Sequence, residues 1–437
     1  QSLTSFTSEN NGVAKFWLGP FPVIVITNPE DAETVLNSCL NKGFVYKFSR
    51  PWVGDGLITS KASIWRRDIK KLLPAFNQKV IDGFMHIFNE QSTILVEKLM
   101  NKTDQEPFDI YPFIGAANLS TICQTAMGTK MDFQSAPNHP YLKSIKTILK
   151  IITKRSSSIW LYSKWLFNLT KLKTKQDNAL DILHKVSNDV RQPQILKEHW
   201  RSTYDNTFRA FLDLILEVNM NENIFTAQQI REQVDTMIAA GHETSSHAIL
   251  FTLLNLGTYQ AVQDKVYEEY VLFNLSNWQE GTVEKCNLSK LVYLEAVIKE
   301  TLRLFPVVPM VFRYIDKEIK LKNYTIPKGC NSAISLWGLN RDPIWGKDCN
   351  DFRPERWLNP SELPKHPASF ASFSYGRRVC IGKKYSMTSM KIMLSHLLRR
   401  FNFKADITEM NLNVHFVLKP ENHLLQIELR DSSKLFN

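Results

Sequence analysis

The ten residues from Phe373 to Gly382, FSYGRRVCIG, constrain this chain more than any other stretch, because they surround one cysteine with features that a structural thiol does not need. Downstream, Met390, Met393, Leu394, Leu397, Leu398 and Phe401 recur at helical spacing and mark one apolar face. Cys380 therefore sits where a loop enters a helix. Unpaired backbone N–H groups and the positive end of the helix dipole should lower its thiol pKa there and support a thiolate. Gly376 and Gly382 flank it, one suited to a tight turn and the other to close approach of a flat group, and Arg378 is placed to hold a carboxylate on that group. A lone cysteine is ordinarily a small buried hydrophobe. This neighbourhood instead makes Cys380 a candidate metal ligand.

The spacing Phe373-x-x-Gly376-x-Arg378-x-Cys380-x-Gly382 resembles the heme-ligand loop of the cytochrome P450 family. The resemblance implies that the Cys380 thiolate is the proximal ligand of a heme b iron, pushing electron density toward the oxygen side to favour O–O cleavage. It implies that Phe373, Gly376, Arg378 and Gly382 contact the cofactor. Trp65 resembles the tryptophan that binds a heme propionate in that family, and Arg313 a second propionate-binding residue. The arginine expected four residues after that tryptophan is replaced by Ile69, with Lys70 beside it as a substitute.

Thr226 and Gln229 form a capping box that opens a long helix expected to run to about Gly257. Its centre reads Ala239-Ala240-Gly241-His242-Glu243-Thr244-Ser245. A mid-helix glycine costs about 1 kcal/mol relative to alanine and wants a reason. Small residues followed by an acid and a hydroxyl would let the helix lie against a flat ligand. By resemblance this is the oxygen-activation segment, with Glu243 and Thr244 relaying protons and His242 given no chemistry. Many family-4 members carry a glutamate at the Ala240 position that becomes esterified to heme; alanine cannot, so heme b is expected to be noncovalent apart from the thiolate. That loss weakens terminal fatty-acid hydroxylation as a default.

Glu300 and Arg303 stand three apart on an amphipathic helix, which alone suggests an exposed pair. The resemblance makes them, with Arg356 of Pro354-Glu355-Arg356, a buried structural network behind the cysteine loop. It also directs Val307, Val308, Met310 and Val311 past the heme, and adds Ala239 and the stretch from Val414 to Leu418, with Val417, to the substrate wall.

Hydrophobic residues make up 43% and charged residues 22%, a globular balance, and six dispersed cysteines suggest neither a disulfide framework nor a zinc site. The net charge of +11 comes without an arginine-rich run or a nucleic-acid motif. No stretch approaches a membrane span, and by comparison with microsomal members an N-terminal anchor is expected to precede the chain. Tryptophans and lysines across residues 159–169 suit a membrane interface. The expected fold is mainly α with a small β region (α+β), a single helical prism over residues 1–437 enclosing heme. The expected activity is a monooxygenase at the endoplasmic reticulum membrane acting on a small hydrophobic substrate. No G-x-G-x-x-G fingerprint marks a fused redox domain, so electrons would come from NADPH-cytochrome P450 reductase, with cytochrome b5 a second possible donor. A heme-thiolate isomerase or dehydratase and a noncatalytic heme-binding protein remain as alternatives.

Overall fold

A computed structural model of the chain describes residues 12–189, 209–272, 281–408, 410–414 and 416–430. Arg191, at the end of the stretch from Phe108 that reads as mostly helical, and His415, within the stretch expected to form part of the substrate wall, lie outside the described residues. The architecture is mainly helical, with a four-stranded sheet at one side and smaller two-stranded ribbons. Its first hairpin, Val13–Leu18 and Phe21–Ile26, adds in parallel to Asn331–Ser335, which pairs antiparallel with Met310–Tyr314. Asn331–Ser335 is buried throughout because it is central in this sheet.

Helix starts follow the capping chemistry. The Asn28 side-chain oxygen accepts from the Asp31 amide (2.9 Å) to start Pro29–Ser38. Thr226 and Gln229 bond reciprocally (3.2 and 2.9 Å) to start the central helix, Ala227–Thr258. This helix crosses the molecule against Tyr111–Met127. Its core-facing residues run almost all the way round, so it reads as a buried rather than a surface helix. The helix after the cysteine, Lys383–Arg400, buries Met390, Met393, Leu394, Leu397 and Leu398, the face expected from their spacing. Phe401 lies just past it and begins the strand Phe401–Lys404.

The segment expected to face a membrane divides in two. Leu161 and Phe167 turn inward to pack with Ile151, and the Arg155 guanidinium lies 3.8 Å from the Phe167 ring centroid. Trp160 (64% exposed), Trp165 (69%) and Leu169 (70%) turn outward. Trp17 is 61% exposed on the first hairpin, whose Gly19 packs so tightly on Ile159 that a Cβ would lie 2.9 Å from Ile159 Cγ2. Among the described residues no helix is long and apolar enough to cross a membrane.

Candidate active site

The cysteine loop is closed by its own backbone: the Cys380 amide donates to the Phe373 carbonyl (2.9 Å). Gly376 has φ +75°, and a Cβ there would lie 2.7 Å from Asn37 Oδ1 and 3.1 Å from the Leu36 backbone, so only glycine fits. At Gly382 a Cβ would meet Cys380 Sγ at 3.8 Å, an ordinary contact, so the protein itself imposes no glycine there. The Cys380 side chain is exposed, with the surrounding chain packed densely behind it. That enclosure corrects one expectation. Burial pushes the thiol up, and the Gly382 N–H, Lys383 and Lys42 only partly offset it. A helix terminus alone therefore does not hold this sulfur as a thiolate; coordination to a metal would.

Three cations gather beside it. Arg313 and Arg378 are buried, and the Arg378 guanidinium lies 5.1 Å from the Trp65 ring centroid. Arg378 Nη2 donates to the Ser60 carbonyl (2.7 Å), but its Nε and Nη1 and the Nε of Arg313 have no partner among the described residues. Burial, then the Arg313 charge, pulls Arg378 down to about 9. Lys42, partly buried and bridged to Arg313 through the backbone, is held well below its usual value by burial and then by Arg313 and Arg378. No carboxylate pairs with any of the three among the described residues. Uncompensated buried cations of this kind call for an anionic ligand. Lys42 was not singled out from the sequence, since it is an isolated lysine just after a helix; Lys70, the substitute read there, is exposed.

On the central helix every residue from Glu232 to Gly257 is buried except Ala240, Gly241 and Thr244. Those three fall on one helical face and open a gap in an otherwise sealed surface. Gly241 has a different reason from the expected one: its Cβ would lie 2.8 Å from Ile122 Cδ1, so it serves the crossing of two helices. His242 points the same way, its Nε2 3.1 Å from the Gly115 carbonyl. The Thr244 hydroxyl donates to the Ala240 carbonyl (2.6 Å). Glu243 is buried and ion-paired with Lys419 (3.0 Å), and its backbone carbonyl lies 2.8 Å from His247 Nδ1.

Behind the loop, Glu300 receives Arg303 Nε and Nη2 (2.8 and 2.7 Å), Arg356 Nε (3.0 Å), the Arg353 amide (3.0 Å) and Trp357 Nε1 (2.9 Å). Arg303 Nη1 donates to the Asn340 carbonyl (2.9 Å). The Asn340 side chain takes the Ala371 amide (3.2 Å) and donates to Ser372 Oγ (2.8 Å). Thus the buried charges reach the residues that precede Phe373, through an asparagine that sequence reasoning passed over.

A family model described as "Cytochrome P450" matches residues 1–427. The chain is a cytochrome P450. It is 35% identical to "Cytochrome P450 4V2" of Homo sapiens, with 97% of this chain and 83% of that protein covered. Against "Cytochrome P450 4c3" of Drosophila melanogaster it is 33% identical, with 96% and 82% covered. This P450 is therefore a heme-thiolate oxidoreductase of the monooxygenase class, in a family that binds heme b through a cysteine thiolate, draws electrons from a redox partner and takes hydrophobic substrates.

The residues read as its substrate wall pack into three different cores. Val417 is fully buried beside Leu418 and packs in the same core as Val307; Val311 and the partly buried Val308 belong to the core under the sheet, and Ala239 to a third. The Leu418 amide donates to the Val307 carbonyl (2.8 Å), which fastens the C-terminal hairpin to the segment after Arg303. Val414 is exposed.

Proposed function

We propose that Cys380 is the iron ligand of this P450, that Trp65, Arg313, Arg378 and Lys42 hold the heme propionates, and that the enzyme inserts one oxygen atom into a C–H bond of an apolar substrate. The observation that carries this reading is the group of buried cations, without a carboxylate among the described residues, beside an accessible cysteine. That arrangement fits a flat, dianionic group and is costly without one. Bound through its iron to Cys380, heme b supplies the chemistry that activates O₂. The chain's own work is to orient it from one side with the cation cluster, to leave space at Ala240 and Thr244, and to move protons through Glu243 and Thr244. The overall reaction consumes substrate, O₂, two electrons and two protons, and yields hydroxylated product and water. Ala240 provides no carboxyl for an ester, which supports noncovalent heme.

NADPH-cytochrome P450 reductase is the proposed electron donor, docking an acidic surface against exposed Arg377, Lys383 and Lys384 on the cysteine side. The outward Trp160, Trp165, Leu169 and Trp17 support residence at the cytoplasmic face of the endoplasmic reticulum membrane. The test is the reduced, carbon monoxide difference spectrum of the folded protein and of Cys380→Ser. The reading requires a strongly red-shifted Soret band that vanishes in the variant while heme remains. An unshifted band in the parent protein would refute it.

A further inference from the structure

Resting on the reading of Glu243 as the acid of the proton relay, we propose that Lys419 is its positioning residue, a latch that ties the relay to the C-terminal hairpin. Glu243 precedes Thr244 on the central helix, yet its carboxylate does not reach toward that hydroxyl. It is paired with Lys419 Nζ at 3.0 Å, and Thr244 bonds back to Ala240. Lys419 comes from the strand Leu418–Glu421, whose first residue is fastened to Val307. The pair is nearly sealed, with the Glu243 side chain 2% exposed and that of Lys419 27%.

The groups that face this carboxylate are few. His242 and His247 come from its own helix, Tyr111 from the neighbouring helix and Lys419 from the hairpin; Asp109 and Lys146 act from farther out. His247 lies 3.5 Å from the Glu243 carboxylate and against the Tyr111 ring, and the Lys419 ammonium lies 5.7 Å from that ring. Burial alone would raise Glu243, but His242, Lys419 and His247 bring it below the usual carboxylate value. Burial also brings His247 to about 4 although Glu243 draws it up, and burial lowers His242 below its ordinary value as well, so near neutral pH both histidines are uncharged and Lys419 is the cation of the group. A carboxylate held ionised and turned to the hairpin has no proton to give. To serve Thr244 it must take up a proton and leave Lys419, so the lysine sets the pH at which the relay runs.

The holoenzyme, Lys419→Met, Lys419→Arg and Glu243→Gln are compared by product formed per NADPH consumed as a function of pH. An opposite charge at this distance lowers a carboxyl by about one to three pH units. The Lys419→Met profile should therefore move to higher pH by about that much, with Lys419→Arg keeping the parent profile. Glu243→Gln should abolish the profile. If Glu243→Gln keeps the parent profile, the relay reading itself fails. If Glu243→Gln abolishes it and Lys419→Met does not shift it, the relay stands and the latch is refuted. A readout without turnover comes from histidine carbon-proton NMR of the diamagnetic ferrous carbon monoxide form, with His247 assigned by its substitution. In Lys419→Met the coupled Glu243–His247 pair should take up its first proton at higher pH, moving the His247 resonance where the parent is flat. An unmoved resonance in that variant would also refute the latch.

Discussion

Glu300→Gln offers the sharpest test of how the cysteine loop is held, because its neighbour Glu355 supplies a control in contact with the same turn of chain. Glu300 accepts five hydrogen bonds, from Arg303, Arg356, the Arg353 amide and Trp357, and its side chain and both guanidiniums are fully buried. A glutamine keeps the shape but turns an amide N–H₂ toward donors and removes the anion. Arg356 retains Asp348 at 3.1 Å, whereas Arg303 is left with backbone carbonyls only. Breaking a buried pair in this way costs about 3–5 kcal/mol, a large share of the roughly 5–15 kcal/mol that hold a domain folded. Glu355 pairs with Lys265 at 2.7 Å in the open, and Glu355→Gln should cost at most about 1 kcal/mol. Urea midpoints from near-ultraviolet circular dichroism, together with heme per polypeptide, measure both. Glu300→Gln should lower the midpoint clearly and lose heme, since Arg303 is linked through Asn340 to Ala371 and Ser372. If the two variants matched in midpoint and heme content, the network would not be what holds the loop.

Lys42→Met should release heme to an apoglobin acceptor roughly ten- to a hundredfold faster than the parent, the loss of one charge-assisted hydrogen bond; an unchanged rate would remove Lys42 from the propionate site. Acid-organic extraction should take all heme from the protein, and heme retained on the chain would contradict a noncovalent site at Ala240. Charge reversal at Arg377, Lys383 and Lys384 should raise the KM for reductase and leave the carbon monoxide spectrum intact, with unchanged reductase dependence counting against that face. His396, buried and 2.8 Å from Asn89 Oδ1, is brought down to about 4 by burial and then Arg399. Its folded value lies below its unfolded one near 6.5, so the unfolded chain binds the extra proton first. Stability should be full above about pH 6.5 and fall by roughly 3 kcal/mol as pH drops toward 4. His396→Gln should flatten that slope in acid titrations of the urea midpoint.

Much of the site could be read from the sequence because its parts are local. The cysteine loop, the Glu300–Arg303 spacing and the Ala239 to Ser245 run each lie within ten residues, where loop and helix geometry alone decides which side chains meet. What escaped reading depends on contacts between distant segments. Lys42 meets Arg378 only through the fold, and Lys419 reaches Glu243 across 176 residues. Gly241 was read as clearance for a ligand, but a helix packed from elsewhere put Ile122 over it. Leu161 and Phe167 showed the same limit: their apolar run fixed neither which residues face inward nor which face out. The expected lowering of the Cys380 thiol missed for a different reason. Helix polarity argued for a lowered thiol, and enclosure by the surrounding chain outweighed it.

The buried charges of this P450 fall into three kinds, and the difference among them separates architecture from chemistry. Around Glu300 every carboxylate oxygen is met and both arginines are covered, so the group is closed, which suits a part that must not move. Around Arg313 and Arg378 the cations stand with unmet N–H groups and no carboxylate among the described residues, which suits a part completed by something else. Glu243 lies between these extremes. Among the described residues it is ion-paired with one lysine on a different element, with a neutral histidine 3.5 Å away and Tyr111 beside it. A group satisfied by one movable partner can be exchanged at modest cost, whereas one satisfied five times cannot. On that ground Glu300 belongs to the frame, the cation cluster to the cofactor, and Glu243 with Lys419 to the part of the enzyme that changes state during a cycle.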